Sequence, residues 1–304
     1  MNNKQPNFFI VGAAKSATTS LYNYLKKHPQ VYFSDPKEPR YLSYRYVNIP
    51  HGGPNGEMYD KSFIKTEENY YSLFKNVNNE KVIGEASVQY LYYTNVAESI
   101  KNEFPNSKII ICLRNPIDRA YSAYMHNIRS GYEKLSFEEA LKNEEQRITE
   151  NYPFLWHYKQ VGLYYNQVKQ YIQEFGKENV EIVLYDEIKN NTLETLIYIC
   201  DFLQISKEFK FEDIGKVYNT SGVTKNKLLG YFIKQNKFKD IIKGPNTPKL
   251  LKNISYRFYH EILSRSLKKD EMKESERKYL LDYYKEDILK LEELIKVDLS
   301  AWRK

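Results

Sequence analysis

Cysteine pairs and long apolar runs are the features that this sequence most clearly lacks. The chain of 304 residues has two cysteines, Cys112 and Cys200, both in apolar surroundings, so neither a disulfide framework nor a C-x-x-C metal motif is expected. No run approaches the roughly 20 apolar residues that cross a bilayer. The polar residues 1–6 and the short apolar run 8–11 do not form a secretory signal. These absences predict a cytoplasmic protein with reduced thiols and no metal site.

Acidic residues are scarce between residues 225 and 268, where Asp240 and Glu261 stand against 11 basic residues. The formal net charge is +7, and residues 225–304 carry 20 basic and 12 acidic residues. A solvated surface would account for this excess; the alternative is a face for an acidic glycan or for peripheral membrane contact. Nucleic acid is not expected, because no recognition motif accompanies the charge. Length and 41% hydrophobic content predict one domain, 1–304, with a helical and basic part at about 225–304.

Residues 8–27 predict a strand, a tight loop and a helix. The apolar run Phe8–Val11 ends at Gly12, and apolar residues recur at helical spacing from Ser20 onward. The loop between them, GAAKSATT, has small and hydroxyl side chains and one lysine, Lys15. Its backbone N–H groups can close around an anion, and the helix start adds unpaired donors and partial positive charge. The pattern predicts a phosphate-binding loop; an ordinary turn with a solvated lysine is the alternative.

This loop also lacks the second glycine of the nucleoside-triphosphate motif. That motif reads G-x-x-x-x-G-K-[ST], whereas Lys15 comes only three residues after Gly12, and no glycine directly precedes the lysine. We therefore do not expect the loop to wrap a triphosphate with magnesium.

A second anion-binding pattern follows in residues 108–129. The apolar run Ile109–Leu113 is typical of a parallel strand buried on both faces, and it stops at Arg114. An Asn-Pro pair then breaks the strand, and a helix that carries Ser122 follows. Ligands of open parallel sheets bind outside the carboxyl ends of the strands, so Arg114 can face the same crevice as Lys15. A guanidinium with a nearby hydroxyl is suited to a phosphate monoester.

Other segments predict further elements. Residues 136–151 predict one helix, whose start carries a capping box of Ser136 and Glu139. Residues 43–80 are rich in Tyr, Asn and Gly and predict an irregular segment. An apolar stripe from Ser275 to Leu294 predicts the last helix.

The two anion patterns resemble the paired signatures of sulfotransferases that use 3′-phosphoadenosine 5′-phosphosulfate (PAPS) as donor. The first covers Lys15–Leu21, and the second is Arg114-Asn115-Pro116-x-Asp118-Arg119-x-x-Ser122. Lys37–Leu42 is similar to the K-E-x-x-[YF]-[FL] segment of heparan-type carbohydrate sulfotransferases. The resemblance also covers Gly162–Tyr164 and the closing residues 280–302, which are similar to the tail of bacterial members. The resemblance implies an α/β fold with three layers, P-loop-like, in which helices flank a central parallel sheet.

The resemblance implies roles for particular residues. In this family the first loop holds the 5′-phosphosulfate, largely through its amides, and it corresponds here to Lys15, Ser16, Ala17, Thr18, Thr19 and Ser20. Arg114 and Ser122 would hold the 3′-phosphate, and Lys15 would act catalytically beside the bridging oxygen. Tyr185 is similar to a tyrosine that packs on adenine, although a core tyrosine is an equally good interpretation. Lys225 is the candidate for a further basic residue at the 3′-phosphate.

The resemblance also assigns the catalytic base to Glu38. A carboxylate within hydrogen-bond reach can take the acceptor's proton as its oxygen attacks sulfur; the residues alone would favour a surface carboxylate paired with a neighbouring cation. Glu85, His126 and His51 are the alternative bases. The heparan-type pattern has a lysine where this chain has Ala86, so any role of that lysine is absent or supplied elsewhere.

The predicted reaction is in-line transfer of a sulfuryl group from PAPS to a hydroxyl or amine, which leaves adenosine 3′,5′-bisphosphate and needs no metal. An acidic glycan or a glycolipid is the expected acceptor, with neither the sugar nor the position specified. The rival functions are a P-loop nucleotide kinase-like phosphotransferase, which would need magnesium ligands, and a non-catalytic nucleotide-binding protein.

Overall fold

The computed structural model describes residues 4–212, 214, 223–224, 267–268 and 271–304, and its centre is a sheet of five parallel strands. The strands are β1 (Phe8–Gly12), β2 (Val31–Phe33), β3 (Val82–Ala86), β4 (Lys108–Leu113) and β5 (Val180–Leu184). Their spatial order is β2-β3-β1-β4-β5, and each neighbouring pair is parallel. A separate antiparallel pair joins β6 (Val223–Thr224) to β7 (Leu267–Lys268).

Helices cover both faces of the five-stranded sheet. They are α1 (Thr18–Leu25), α2 (Gly56–Asp60), α3 (Glu67–Ser72), α4 (Asn95–Glu103), α5 (Pro116–Ser130), α6 (Phe137–Lys142), α7 (Glu144–Thr149), α8 (Tyr164–Phe175), α9 (Tyr185–Asn190), α10 (Thr192–Phe202) and α11 (Glu274–Ile295). Successive side chains of a strand point to opposite faces. Phe8 and Ile10 accordingly pack with α1 and α10, whereas Phe9 and Val11 pack with α4, α8 and α11. The predicted three-layer α/β fold is confirmed.

The direction of the chain across the sheet changes between β1 and β4. From β1 the chain runs through α1 to β2 at one edge, whereas from β4 it runs towards β5 at the other edge. The loops after β1 and β4 therefore diverge and leave a crevice at the carboxyl ends of these strands, where ligands of open α/β sheets bind. Lys15 and Arg114 lie in these two loops.

Helix α11 fixes the start of α8. The Asp287 carboxylate accepts the backbone N–H of Tyr164 at 2.7 Å and that of Tyr165 at 3.2 Å, so it caps a helix that lacks a side-chain cap of its own. Tyr284 packs on Gly162, where an added Cβ would lie 2.7 Å from the tyrosine Oη. This close approach explains why glycine stands at that position.

The prediction of one helix over 136–151 was wrong. The helix breaks at Asn143 (φ −84°, ψ 0°) into α6 and α7, although the predicted capping box at Ser136 is confirmed. The break has a tertiary cause, because the fully buried Glu144 at the start of α7 accepts two backbone N–H groups of the segment 159–160 at 2.6 and 2.9 Å.

The segment 43–80, predicted to be irregular, contains the short helices α2 and α3. The Thr66 side chain caps α3 by accepting the backbone N–H of Asn69 at 3.3 Å. Within the described ranges, none of the helices combines the length and the apolar composition that crossing a membrane requires.

Candidate active site

The loop after β1 presents an uncapped helix start to the crevice. Lys15 and Ala17 adopt left-handed backbone conformations, with φ of 72° and 64°. Helix α1 then begins at Thr18 with neither a side-chain cap nor an acidic residue in its first turn. Left-handed residues other than glycine are uncommon and cluster at ligand sites. The partial positive charge of this helix start is therefore available to an anion.

Gly12 serves packing at the end of β1. A Cβ atom there would lie 2.6 Å from the Leu91 Cβ and 2.9 Å from the carbonyl oxygen of Val88. The backbone N–H of Leu91 also donates to the carbonyl oxygen of Val11 at 2.8 Å. The glycine thus lets the turn 88–91 close over the strand end, which explains its presence without reference to an anion.

Arg114 reaches from the end of β4 back to the loop after β1. Its Nη1 donates to the backbone oxygen of Lys15 at 3.3 Å, and its guanidinium carbon lies 4.4 Å from the centre of the Tyr185 ring. Asn115 caps α5 through its side chain, so the helix that carries Ser122 starts directly after the arginine. Tyr185 is the first residue of α9 and is partly exposed, so it is not a core tyrosine.

Glu38 is held from both sides. Its backbone N–H donates to the carbonyl oxygen of Ala86 at 3.0 Å, which ties the loop after β2 to the end of β3. The carboxylate accepts from Lys37 Nζ at 2.9 Å and from Arg40 Nη2 at 2.8 Å. Burial alone would raise the pKa of this carboxyl, but the charges and hydrogen bonds of the two cations outweigh burial and lower the pKa to about 2.

A single cleft of about 830 Å³ joins these groups. Of the residues predicted for the site, those that line it are Lys15, Ala17, Thr18, Thr19, Ser20, Glu38, Arg114, Ser122 and Tyr185. Lys15 and Arg114 are 99 residues apart in the chain, and the change of chain direction between β1 and β4 brings them together. The prediction that both face one crevice agrees with this geometry.

Three residues of the predicted set stand differently. The Ser16 side chain is fully buried and does not line the described cleft, so only its backbone could meet a ligand there. The backbone N–H of Ser20 donates to the carbonyl oxygen of Ala17 at 2.9 Å, which removes this amide from the expected anion donors. Lys225 lies outside the described residues.

One of the alternative bases lines the cleft. Glu85 is fully buried in β3, where its carboxylate accepts from the Tyr70 hydroxyl at 2.7 Å, and burial raises its pKa to about 7. His51 is buried with its Nδ1 at 2.5 Å from Oδ1 of Asp60. Neither of these bases belongs to the described lining of the cleft, whereas His126 does.

Helix α5 adds a cation, Arg129, which is not among the predicted site residues. His126 and Arg129 follow Ser122 by four and seven residues, so the three lie on one helix face, and all of them line the cleft. Arg129 Nη2 donates to His126 Nδ1 at 3.3 Å. Burial, followed by the charges of Lys15 and Arg129, lowers the pKa of His126 to about 3. Helical spacing from Ser122 was the signal in the sequence that could have identified this face.

Basic side chains dominate the electrostatics of the cleft. Among its described lining residues one carboxylate, Glu38, faces five basic side chains, namely Lys15, Arg40, Arg114, Arg129 and Lys189. Burial, followed by the charges of Arg129 and Arg114, lowers the pKa of Lys15 to about 8. Lys15 is therefore still mostly protonated at pH 7, and the cleft attracts a ligand with several negative charges.

The fold and the cleft define an α/β protein with a predominantly basic cleft at the switch point of a parallel sheet. The sequence profile described as "Sulfotransferase family" matches residues 6–209, a range that includes Lys15, Glu38 and Arg114. The chain therefore belongs to the sulfotransferase family.

Solved and curated proteins are similar to this chain. A sulfotransferase from Alicyclobacillus acidocaldarius, known from a crystal structure, is 35% identical with a TM-score of 0.79 and matches over 99% of each chain. The membrane-associated sulfotransferase kil1 of Dictyostelium discoideum is 38% identical over 124 residues, 41% of this chain and 23% of that protein. Carbohydrate sulfotransferase 15 of Homo sapiens is 24% identical over 246 residues, 66% of this chain and 44% of that protein. The chain thus spans less than half the length of these two curated relatives.

Proposed function

We propose that the protein transfers a sulfuryl group from PAPS to a hydroxyl or amine of a carbohydrate or glycolipid acceptor. The observation that carries this proposal is that Lys15 and Arg114, in the loops after adjacent strands, open on one cleft and are joined by a 3.3 Å hydrogen bond. A single ligand with phosphate groups at both ends of an adenosine can engage both loops. Membership of the sulfotransferase family supports the same reaction class.

The loop after β1 would hold the 5′-phosphosulfate of the donor. The uncapped start of α1 offers backbone donors and partial positive charge, and Thr18 and Thr19 line the cleft. Lys15 adds a full charge. These groups fit an anion better than a neutral ligand, because no carboxylate stands in the first turn of the helix.

The 3′-phosphate and the adenine would lie at the β4 side of the cleft. Arg114 can donate two parallel hydrogen bonds to a phosphate, and Ser122 lines the same cleft. The Tyr185 ring already lies against this guanidinium and offers an aromatic face to the base. Lys225 stays a candidate for a second cation at this phosphate.

The transfer step requires a base and a stabilised leaving group. Glu38 takes the proton as the acceptor oxygen or nitrogen forms its bond to sulfur, and the bond from sulfur to the 5′-phosphate oxygen breaks with its electron pair going to the phosphate. Lys15 stabilises the negative charge that grows on this phosphate. The products are the sulfated acceptor and adenosine 3′,5′-bisphosphate.

Several residues that line the cleft favour an acidic sugar as the acceptor. Aromatic rings of Tyr59, Tyr132 and Phe154 line the cleft together with Arg129. Flat apolar surfaces suit the CH faces of a sugar ring, and a guanidinium suits a carboxylate or sulfate group on that ring. The similarity to a protein named as a carbohydrate sulfotransferase supports this choice.

Calorimetry tests which nucleotide the protein binds more tightly. Adenosine 3′,5′-bisphosphate should bind more tightly than ATP, and the addition of magnesium should not reverse this order. Tighter ATP binding, or a divalent-metal requirement in the transfer assay, would favour a phosphotransferase instead.

An acceptor library with ³⁵S-labelled donor tests the acceptor. Acidic glycans and glycolipids should be labelled in preference to neutral sugars, and a preference for simple phenols would refute the carbohydrate assignment. In the same assay Glu38→Gln should abolish most of the turnover. If it does not, and His126→Ala does, the base is the histidine.

A cytoplasmic location is part of this proposal. The cysteines Cys112 and Cys200 are buried and unpaired, which supports a reducing compartment. Peripheral membrane contact, proposed from the basic residues between 225 and 268, depends on a segment that lies almost wholly outside the described residues.

A further inference from the structure

Both carboxylate oxygens of Glu38, the proposed base, are paired with a cation. Lys37 Nζ lies 2.9 Å from Oε1 of Glu38, and Arg40 Nη2 lies 2.8 Å from Oε2. The three side chains are between 17% and 22% exposed, so water weakens these ion pairs only partly. Each oxygen keeps a second lone pair, but two cations at hydrogen-bond distance stabilise the charged carboxylate and make it a weak base for the acceptor's proton. The carboxylate is therefore capped in the state that the structure describes.

Arg40 is anchored by contacts that do not involve the carboxylate. Arg40 Nη1 also donates to the Ser62 hydroxyl, and its guanidinium carbon lies 4.9 Å from the centre of the Tyr59 ring. Its backbone N–H donates to the Ser87 hydroxyl at 3.0 Å. These contacts hold Arg40 in place whether or not Glu38 is charged.

Lys37 is held more loosely, and its other contacts are with the first turns of α1. Apart from Glu38, Lys37 Nζ contacts the hydroxyl of Thr19 at 3.4 Å and lies 6.0 Å from the centre of the Tyr22 ring. An ammonium on a flexible stem changes partner more readily than a fixed guanidinium fork. Lys37 is therefore the one of the two cations that can leave the carboxylate.

Thr19 connects this lysine to the donor. It belongs to the first turn of α1 and lines the cleft, where the proposed function puts a phosphosulfate. A phosphosulfate beside Thr19 carries more negative charge than one carboxylate and lies within a short movement of Lys37. It can therefore compete with Glu38 for the ammonium.

We infer that Lys37 is a positioning residue that caps Glu38 in the free protein and moves onto the donor's phosphosulfate when the donor binds, which frees Oε1 as the base. The inference rests on the proposed function. It makes the base available only after the donor is in place, and it gives the donor one more cation. Arg40 keeps Oε2 oriented throughout.

Two crystal structures test the movement directly, one of the free protein and one with adenosine 3′,5′-bisphosphate. With the ligand, Lys37 Nζ should lie within hydrogen-bond distance of the 5′-phosphate, and its contact with Glu38 Oε1 should be broken. If the ligand is bound and the contact with Glu38 is unchanged, the inference is wrong while the proposed donor stands. If the wild-type protein does not bind this ligand at all, the proposed function itself fails.

Kinetics with Lys37→Gln tests the same idea through a KM-against-kcat split. The variant should bind adenosine 3′,5′-bisphosphate about tenfold more weakly, because one charge-assisted hydrogen bond is lost, and should keep kcat at saturating donor within a few-fold. A fall of kcat with unchanged donor affinity would mean that Lys37 only supports Glu38, and would overturn the inference.

Two further variants keep this test decisive. Lys26→Gln removes another lysine that lies near Tyr22, at 5.4 Å from its ring centre and paired with Asp35, and it should change neither parameter. Lys37→Arg keeps the charge but puts a two-pronged donor on the carboxylate. It should lower kcat more than it lowers donor affinity, and the reverse result would count against the proposed movement.

Discussion

Lys15 and Arg114 carry the same charge, but the proposed reaction uses them at different moments. Lys15→Ala removes the cation next to the phosphate oxygen where charge grows, and such donors contribute roughly 10²- to 10³-fold to turnover. We expect kcat to fall by this factor.

Arg114→Ala removes a contact that exists before and after the transfer, so it should weaken the binding of adenosine 3′,5′-bisphosphate and largely retain kcat at saturating donor. A radiolabel assay and calorimetry measure the two effects.

The control for these variants is Lys26→Ala, which changes a lysine outside the described lining of the cleft. Near-normal sulfuryl transfer by Lys15→Ala would contradict the role given to this lysine.

Glu85 makes the stability of the protein depend on pH. Burial raises the pKa of this carboxyl to about 7 from an ordinary value of 4.5. The folded state therefore binds more protons than the unfolded state between these values, and the free energy of unfolding falls as pH rises through this range. Glu85→Gln should remove this loss of stability and raise the free energy of unfolding at pH 8 by at most about 3 kcal/mol. At pH 4.5 the gain should vanish.

Urea denaturation at the two pH values measures this difference. Glu98→Gln changes an exposed carboxylate of α4 and should leave the stability unchanged at both. An equal effect of Glu85→Gln at both pH values would show that the carboxyl does not titrate in this range.

At the scale of elements, α8 depends on a cap from another helix. Asp287→Ala leaves the backbone N–H groups of Tyr164 and Tyr165 without their carboxylate partner. Loss of such a cap costs about 1–2 kcal/mol, so we expect this decrease in the free energy of unfolding. Chemical denaturation measures it, and Asp282→Ala, at an exposed position of α11, is the matched control. Equal stability of the two variants would contradict the capping role.

Elements with local signals were predicted well, and those set by distant contacts were not. The capping box at Ser136 is a local pattern, and it starts α6 as expected. The end of α6 at Asn143 has no such signal, because the buried Glu144 takes its hydrogen bonds from residues 159 and 160. A helix-length apolar pattern therefore overestimated the length of the element.

At the scale of the whole molecule, the donor should stabilise the fold. The proposed ligand contacts the loops after β1 and β4, two neighbouring central strands, and a ligand that binds only the folded state stabilises it by mass action. At about 100 times its Kd, adenosine 3′,5′-bisphosphate should add about 2.7 kcal/mol to the free energy of unfolding. ATP at the same concentration should add less. A thermal or denaturant titration measures both, and an equal effect of ATP would count against the assignment.

Stabilisation by adenosine 3′,5′-bisphosphate should disappear when a residue that binds it is replaced. Arg114→Ala should lose most of the stabilisation by adenosine 3′,5′-bisphosphate, whereas Asp287→Ala, although less stable, should keep it. Full stabilisation of Arg114→Ala would place the ligand elsewhere.

The sequence by itself determined the two strands and the loops that follow them. Apolar runs at 8–11 and 109–113, each cut off by small or polar residues, are local patterns, and so are Lys15 and Arg114 at the strand ends. The side-chain roles in donor binding stay predictions.

Only the tertiary structure decided which groups share the cleft and in what state. Glu38, Glu85 and Ser16 look equivalent as polar residues near strand ends, yet one lines the cleft between two cations and the other two are fully buried. Burial and charge pairing depend on residues that are distant along the chain, such as Lys37 beside Thr19. A linear pattern does not contain these distances, because they are set by how the layers pack on the sheet.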